Sequence, residues 1–110
     1  MPKGQYLGEF ELYVMAAAQL LSDEAYGMMI VREIEQRSGR RVAMGAVYAT
    51  LSRLEDKGLV STSVSEPRRV PGGRSRRHVR LTAAGRRALA TSTDMLSRML
   101  LSPVTRGGRP

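Results

Sequence analysis

Apolar side chains recur at helical spacing in four stretches of this chain and at alternating spacing in two, and their order predicts the architecture. The stretch over residues 40–60, RRVAMGAVYATLSRLEDKGLV, is the one the others are arranged around. Val47, Leu51 and Leu54 fall at i, i+4 and i+7. That spacing puts them within about 40° of one another on a helix and makes them its buried stripe. The opposite side holds Gly45, Ala49, Ser52 and Asp56, flanked by Ala46, Tyr48 and Arg53. A face so small at its N-terminal end admits a large flat partner close to the backbone, and its one phenol and one guanidinium can reach phosphates or bases. An ordinary solvated helix face is the competing reading of this segment taken alone. Gly58 is placed to stop the helix as a C′ glycine, after which Leu59 and Val60 begin an extended run. A helix that passes directly into a strand is the central element of a winged helix.

The first helix is expected over residues 7–21, with Phe10, Val14, Ala17 and Leu21 on one face. Leu12, Met15, Ala16, Ala18 and Leu20 widen its apolar surface, so it calls for cover on more than one side, by its own core and by a partner subunit. Ser22, Asp23 and Glu24 read as a polar break whose acids suit a helix N-terminus. The second helix follows over residues 25–37 on the stripe Tyr26, Ile30, Ile34, and Gly39 ends it. Gly27 in its first turn is poor helix material, which a close approach by another backbone would explain. Arg40 and Arg41 lead into the central helix, which completes a helix-turn-helix. Beyond Gly58, Val60, Thr62 and Val64 alternate with serines, and Val79 and Leu81 alternate with His78, Arg80 and Thr82. Two such strands around the loop EPRRVPGGRSR form a β-hairpin wing. Thr82 suits the N-cap of a last helix reaching residue 101, whose seam Leu89, Leu96, Met99 and Leu100 can pack on the first helix of the same or a second chain. The expected organisation is a winged helix-turn-helix over residues 1–82, a C-terminal helix over 83–101 and a flexible basic tail over 102–110. The fold class is mainly α with a small β-hairpin.

Composition narrows the function. The chain has 110 residues, enough for a modest core but not for a deep cleft between two domains. The absence of cysteine excludes a disulfide framework, a thiol nucleophile and a thiolate metal site, and it fits a reducing cytoplasm. No apolar run reaches the roughly 18 residues that a membrane span needs, so no membrane partner is expected. The net charge of +8 is unevenly placed: residues 1–66 carry seven Lys/Arg against nine Asp/Glu, and residues 67–110 carry eleven Arg against Asp94 alone. Arg68, Arg69, Arg74, Arg76, Arg77 and Arg80 crowd the wing, with Glu66 the one offsetting charge. Such a loop repels itself unless a polyanion relieves it, and arginine suits bidentate contact with phosphate or guanine. His78 is the single histidine and faces outward among arginines with no converging acid, nucleophile or metal ligand, so neither catalysis nor a cofactor is expected. The remaining alternative is a winged helix serving as a protein–protein interaction module without sequence-specific DNA binding.

With these pieces placed, the chain resembles the PadR family of bacterial transcriptional regulators over about residues 6–101. The resemblance lies in LGEFELYVMAA, DEAYGMMIVREI, GAVYATLSRLEDKGLV and GGRSRRHVRLTAAGRRAL. The combination of VYATLSRLEDKGLV, the Gly-Gly-Arg wing and LTAAG carries it; either half alone also fits MarR-like and ArsR-like repressors. It implies a cytoplasmic homodimer that binds a pseudo-palindromic operator, in the short form with a single C-terminal dimerisation helix. Matched by motif, Gly45, Tyr48 and Arg53 stand at the reading-helix positions, with Ser52 beside them. Tyr26 is the aromatic close to the DNA backbone, and Arg74, Arg76 and Arg77 reach the adjacent groove. Phe10, Leu89, Leu96, Met99 and Leu100 fall to the dimer interface. A hydrophobic effector lodged between subunits is also implied. The chain departs from the family at Ala43, where a capping serine or threonine is usual, and Arg41 is expected to take over its phosphate contact.

Overall fold

The computed structural model describes residues 7–64 and 76–101. Helix α1 spans Glu9–Leu21, and a single 3-10 turn, Ser22–Glu24, leads to α2, Gly27–Ser38. Helix α3 is Met44–Asp56, strands β1 and β2 are Val60–Val64 and Arg77–Leu81, and α4 is Ala83–Leu100. The strands pair antiparallel with Val60 opposite Leu81 and Thr62 opposite Val79. The wing-tip arginines Arg68, Arg69 and Arg74 and the basic tail over 102–110 lie outside the described residues. Among the described helices none is long and apolar enough to cross a membrane.

The core forms where the stripes meet. Val14, Met15, Ala17 and Ala18 of α1, Ile30, Val31 and Ile34 of α2, and Val47, Leu51 and Leu54 of α3 are buried together with Val60, Val79, Leu81 and Leu89. Removing these aliphatic chains from water supplies the main driving force for folding, at about 25 cal/mol per Å². Helix α1 buries Val14, Met15, Ala17 and Ala18 in the core and leaves Leu20 59% exposed, while Phe10 and Leu21 pack at the edge of the core. Val64 was expected to face inward and is instead 63% exposed, because β1 runs outward past the last core side chain.

Two helix starts differ from expectation, the first being that of α1, at Glu9 rather than at residue 7. Helix α2 begins at Gly27 rather than at residue 25, because Ala25 and Tyr26 are extended: the Ala25 carbonyl accepts from the Val79 N–H at 2.8 Å, and Tyr26 bridges to His78. These two residues act as a short third strand beside β2. Asp23 and Glu24 consequently belong to the 3-10 turn and do not stand in the first turn of α2. Helix α1 begins with Glu11 reaching back to the Gly8 N–H at 2.9 Å, while the same buried carboxylate accepts from Lys57 Nζ at 3.0 Å. Burial on its own pushes the Glu11 carboxyl up, but the Gly8 N–H, the Lys57 hydrogen bond and the charges of Lys57 and Arg53 together hold it below the ordinary glutamate value.

The exit from α3 is a Schellman turn. Gly58 adopts φ +75°, its N–H donates to the Glu55 carbonyl at 2.9 Å, and the Leu59 N–H donates to the Leu54 carbonyl at 2.9 Å. The start of α4 packs on this exit so closely that a Cβ on Gly85 would lie 1.9 Å from the Leu59 carbonyl oxygen. Glycine in LTAAG is therefore required by a backbone contact.

Gly85→Ala is expected to lower stability by about 2–3 kcal/mol, since backbone must move to admit the methyl group; urea titration measures it. For Glu11, a depressed folded-state value means stability present above the ordinary glutamate range and lost as pH falls through the lowered value. Glu11→Gln should therefore cost about 1 kcal/mol at pH 7 and progressively less as the buffer is acidified below about pH 4, in parallel urea titrations.

Candidate nucleic-acid interface

The outward face of α3 is as small as its sequence suggested. Gly45, Ala46, Tyr48, Ala49, Ser52, Arg53 and Asp56 are all exposed. Gly45 has an ordinary helical backbone, and a Cβ placed on it would find nothing within 4 Å. Glycine in a helix costs about 0.5–1 kcal/mol relative to alanine, and no contact among the described residues calls for it there. The face ends in two shoulders, Tyr48 and Arg53, about 140° apart around the axis.

The shoulders are held differently. Arg53 folds back one turn, its Nη2 donating to Oγ1 of the buried Thr50 at 3.1 Å, on the side where its charge acts on Glu11. Tyr48 is 38% exposed and lies against Gly27 at the start of α2. The close neighbour of Gly27 is thus a tyrosine side chain, and the expected backbone approach is not what occupies the space.

Tyr26, immediately before Gly27, joins this corner to the wing. The Arg76 guanidinium stacks over its ring at 4.1 Å from the centroid, and the His78 ring meets it edge-on at 5.1 Å and 72°. His78 is half-buried; its Nε2 lies 3.0 Å from the Ser22 carbonyl, an acceptor only, so the ring nitrogen is the donor. His78 was expected to face outward among arginines; the pairing of β2 with Ala25 and Tyr26 turns it onto the 3-10 turn instead. The structure thus brings Tyr26, Tyr48 and Arg76 to one corner, from the start of α2, from α3 and from the root of β2. Arg77 and Ser52 are exposed nearby in sequence on β2 and α3.

Arg41 is exposed in the turn between α2 and α3. Ala43 offers α3 no side-chain cap, and the turn is secured from beneath by Glu35, whose carboxylate accepts from the Val42 N–H at 2.9 Å. Of the residues assigned to the dimer interface, Leu89 is buried in the chain's own core and Phe10 packs at its edge. Leu96 is exposed, and Met99 and Leu100 are each 72% exposed. Between α1 and α4 runs an open apolar groove lined by Leu12, Tyr13, Ala16, Leu89, Leu96 and Leu100.

Sequence reasoning missed Gly27 as a seat for Tyr48, and His78 as a brace. The signal for the first was present in a glycine at a helix start with no turn to make. For the second there was none, because the pairing of β2 with Ala25 and Tyr26 joins residues far apart in the chain.

Three helices, the last two joined by a short turn, with a hairpin issuing from the third, make a winged helix-turn-helix of the kind found in transcriptional regulators. The chain belongs to the PadR-like family of transcriptional regulators, whose family model matches residues 18–91. It is 43% identical over 77 residues to the transcriptional regulator Rv3488 of Mycobacterium tuberculosis, a match covering 70% of this chain and 67% of the relative. RosR of H. salinarum superposes with a TM-score of 0.65 at 27% identity, over 94% of this chain and 86% of that one. A PadR family regulator from Clostridium difficile shares the fold, with a TM-score of 0.70 at 23% identity over 90% of this chain and 97% of its own.

If the stack anchors the wing root, Tyr26→Ala should speed amide exchange at Val79 about tenfold, the two ring contacts together being worth roughly 1–2 kcal/mol, whereas Tyr26→Phe should leave it unchanged. Hydrogen exchange followed by NMR makes the comparison.

Proposed function

We propose that this protein is a sequence-specific DNA-binding repressor that acts as a homodimer on a pseudo-palindromic operator. The observation that carries the reading is the exposed face of α3. Gly45 stands open where no contact among the described residues needs a glycine, beside Ala49 and Ser52, and Tyr48 lies against Gly27, next to the Tyr26 that carries the wing-root arginine Arg76. A face with almost no side chains lets a helix enter the major groove deeply and read methyl groups and shape more than a donor and acceptor code. The wing arginines Arg74, Arg76 and Arg77, together with Arg41, supply phosphate contacts, and the basic excess beyond residue 66 supports that role. Tyr26 contributes by holding Arg76, with its own ring turned into the stack.

The homodimer reading is supported by the apolar seam of α4, where Leu96, Met99 and Leu100 are exposed among the described residues. Two copies joined there would set their α3 helices into successive major grooves about 34–36 Å apart. The groove between α1 and α4 is apolar and open, which suits a hydrophobic effector that releases the operator.

Gel shifts with the DNA upstream of the protein's own gene, against random duplex of the same length, test the reading: a clear preference supports it, and equal binding would favour the protein–protein module. The Arg74→Ala/Arg76→Ala double variant should lose affinity for both duplexes alike, and its log affinity against log salt should flatten by about two, one for each phosphate contact. Unchanged affinity for random duplex would remove the wing from the interface.

A further inference from the structure

Gly27 is buried at the first position of α2, and a Cβ built on it would lie 2.5 Å from Tyr48 Oη and 2.8 Å from Tyr48 Cζ. A methyl group fits there only if the phenol shifts from its place. The backbone at Gly27 is not left-handed, so no turn calls for glycine, and helix propensity favours alanine at such a site. What remains to explain the glycine is the ring lying on it.

We propose that Gly27 is a positioning residue for operator discrimination: its missing side chain forms the seat that fixes where the Tyr48 phenol meets the duplex. This rests on the DNA-binding reading above. On the outward face of α3, Gly45, Ala46, Ala49 and Ser52 are too short to restrain a phenol, and Arg53 is drawn onto Thr50. The restraint comes instead from α2, where the ring packs flush on bare backbone while remaining 38% exposed. A phenol held in one place loses little further freedom on binding and offers the exposed part of its ring at one position of the groove. Gly27 also follows Tyr26, so the seat lies next to the residue that carries Arg76. The wing root and α3 are therefore indexed against two adjacent residues, Tyr26 and Gly27, where α2 begins.

The test is a double-mutant cycle on the full chain, with a duplex enriched by the wild-type protein from a random-sequence pool and an unselected duplex as reference. Gly27→Ala should lower the ratio of affinities for the two duplexes about tenfold, the usual worth of one well-placed base contact, through loss of the selected duplex alone. Tyr48→Ala should lower the ratio by a similar factor, and Gly27→Ala/Tyr48→Ala should be no worse than Tyr48→Ala. Stability should change sign across the cycle: Gly27→Ala lowers Tm when Tyr48 is present and raises it when residue 48 is alanine. An undiminished ratio in Gly27→Ala, or losses that simply add, would overturn the proposal. Should Gly27→Ala alone fail to fold, recovery of the fold in the double variant supports the seat and continued failure refutes it. A wild-type chain that enriches no duplex refutes the DNA-binding reading and this proposal with it, a result distinct from a discriminating wild type matched by a discriminating variant.

Discussion

The Thr82 hydroxyl donates to the Gly58 carbonyl at 2.7 Å and accepts from the Gly85 N–H at 3.0 Å, while the Thr82 N–H donates to the Leu59 carbonyl at 3.1 Å. The end of α3, the end of β2 and the beginning of α4 are thereby drawn to one point. Gly58 in a left-handed conformation turns the chain out of α3, and Thr82 fastens the returning strand to that turn. Gly85 then lets α4 start against the Leu59 carbonyl, and Arg86 adds a bond to the Leu81 carbonyl at 3.1 Å. The angle between α3 and the wing follows from this knot, since both strands of the hairpin are rooted in it.

Much of the fold was legible because it rests on periodicity and on residues with restricted conformations. The stripe Val47, Leu51 and Leu54 is buried as its spacing required, Gly39 and Gly58 both end helices with positive φ, and Thr82 caps α4. What escaped has no period to read. Ala25 and Tyr26 form two extended residues, too short for alternation, and their partner is at residues 78 and 79. The ion pair of Glu11 with Lys57 joins residues forty-six apart, and only the folded chain brings α1 and the end of α3 together. Val64 alternates correctly and is exposed nonetheless, because alternation assigns a side of the strand and says nothing of how far the core extends beneath it.

The same contrast runs through the interface. Tyr48, Ser52 and Arg53 were all picked from one helical face, yet packing separates them: Tyr48 is held by α2, Ser52 is exposed, and Arg53 is drawn onto Thr50. Tyr26 is expected from the family resemblance as an aromatic close to the DNA backbone, and the structure engages its ring within the chain, with Arg76 over it and His78 meeting it edge-on. A helical wheel locates a residue on a surface; the neighbours decide which part of it is offered.

The openness of α3 around Gly45 separates recognition from foldedness. A Cβ added there has nothing within 4 Å among the described residues, and changes at exposed positions such as Ala49 or Ser52 ordinarily shift stability by less than about 0.5 kcal/mol. Descendants of this sequence can therefore try new contacts on that face without endangering the core. Gly27 and Gly85, pressed against Tyr48 and Leu59, leave no such freedom. Divergence in what such regulators read would then gather on a few outward positions of one helix, while the glycines beneath it stay unchanged.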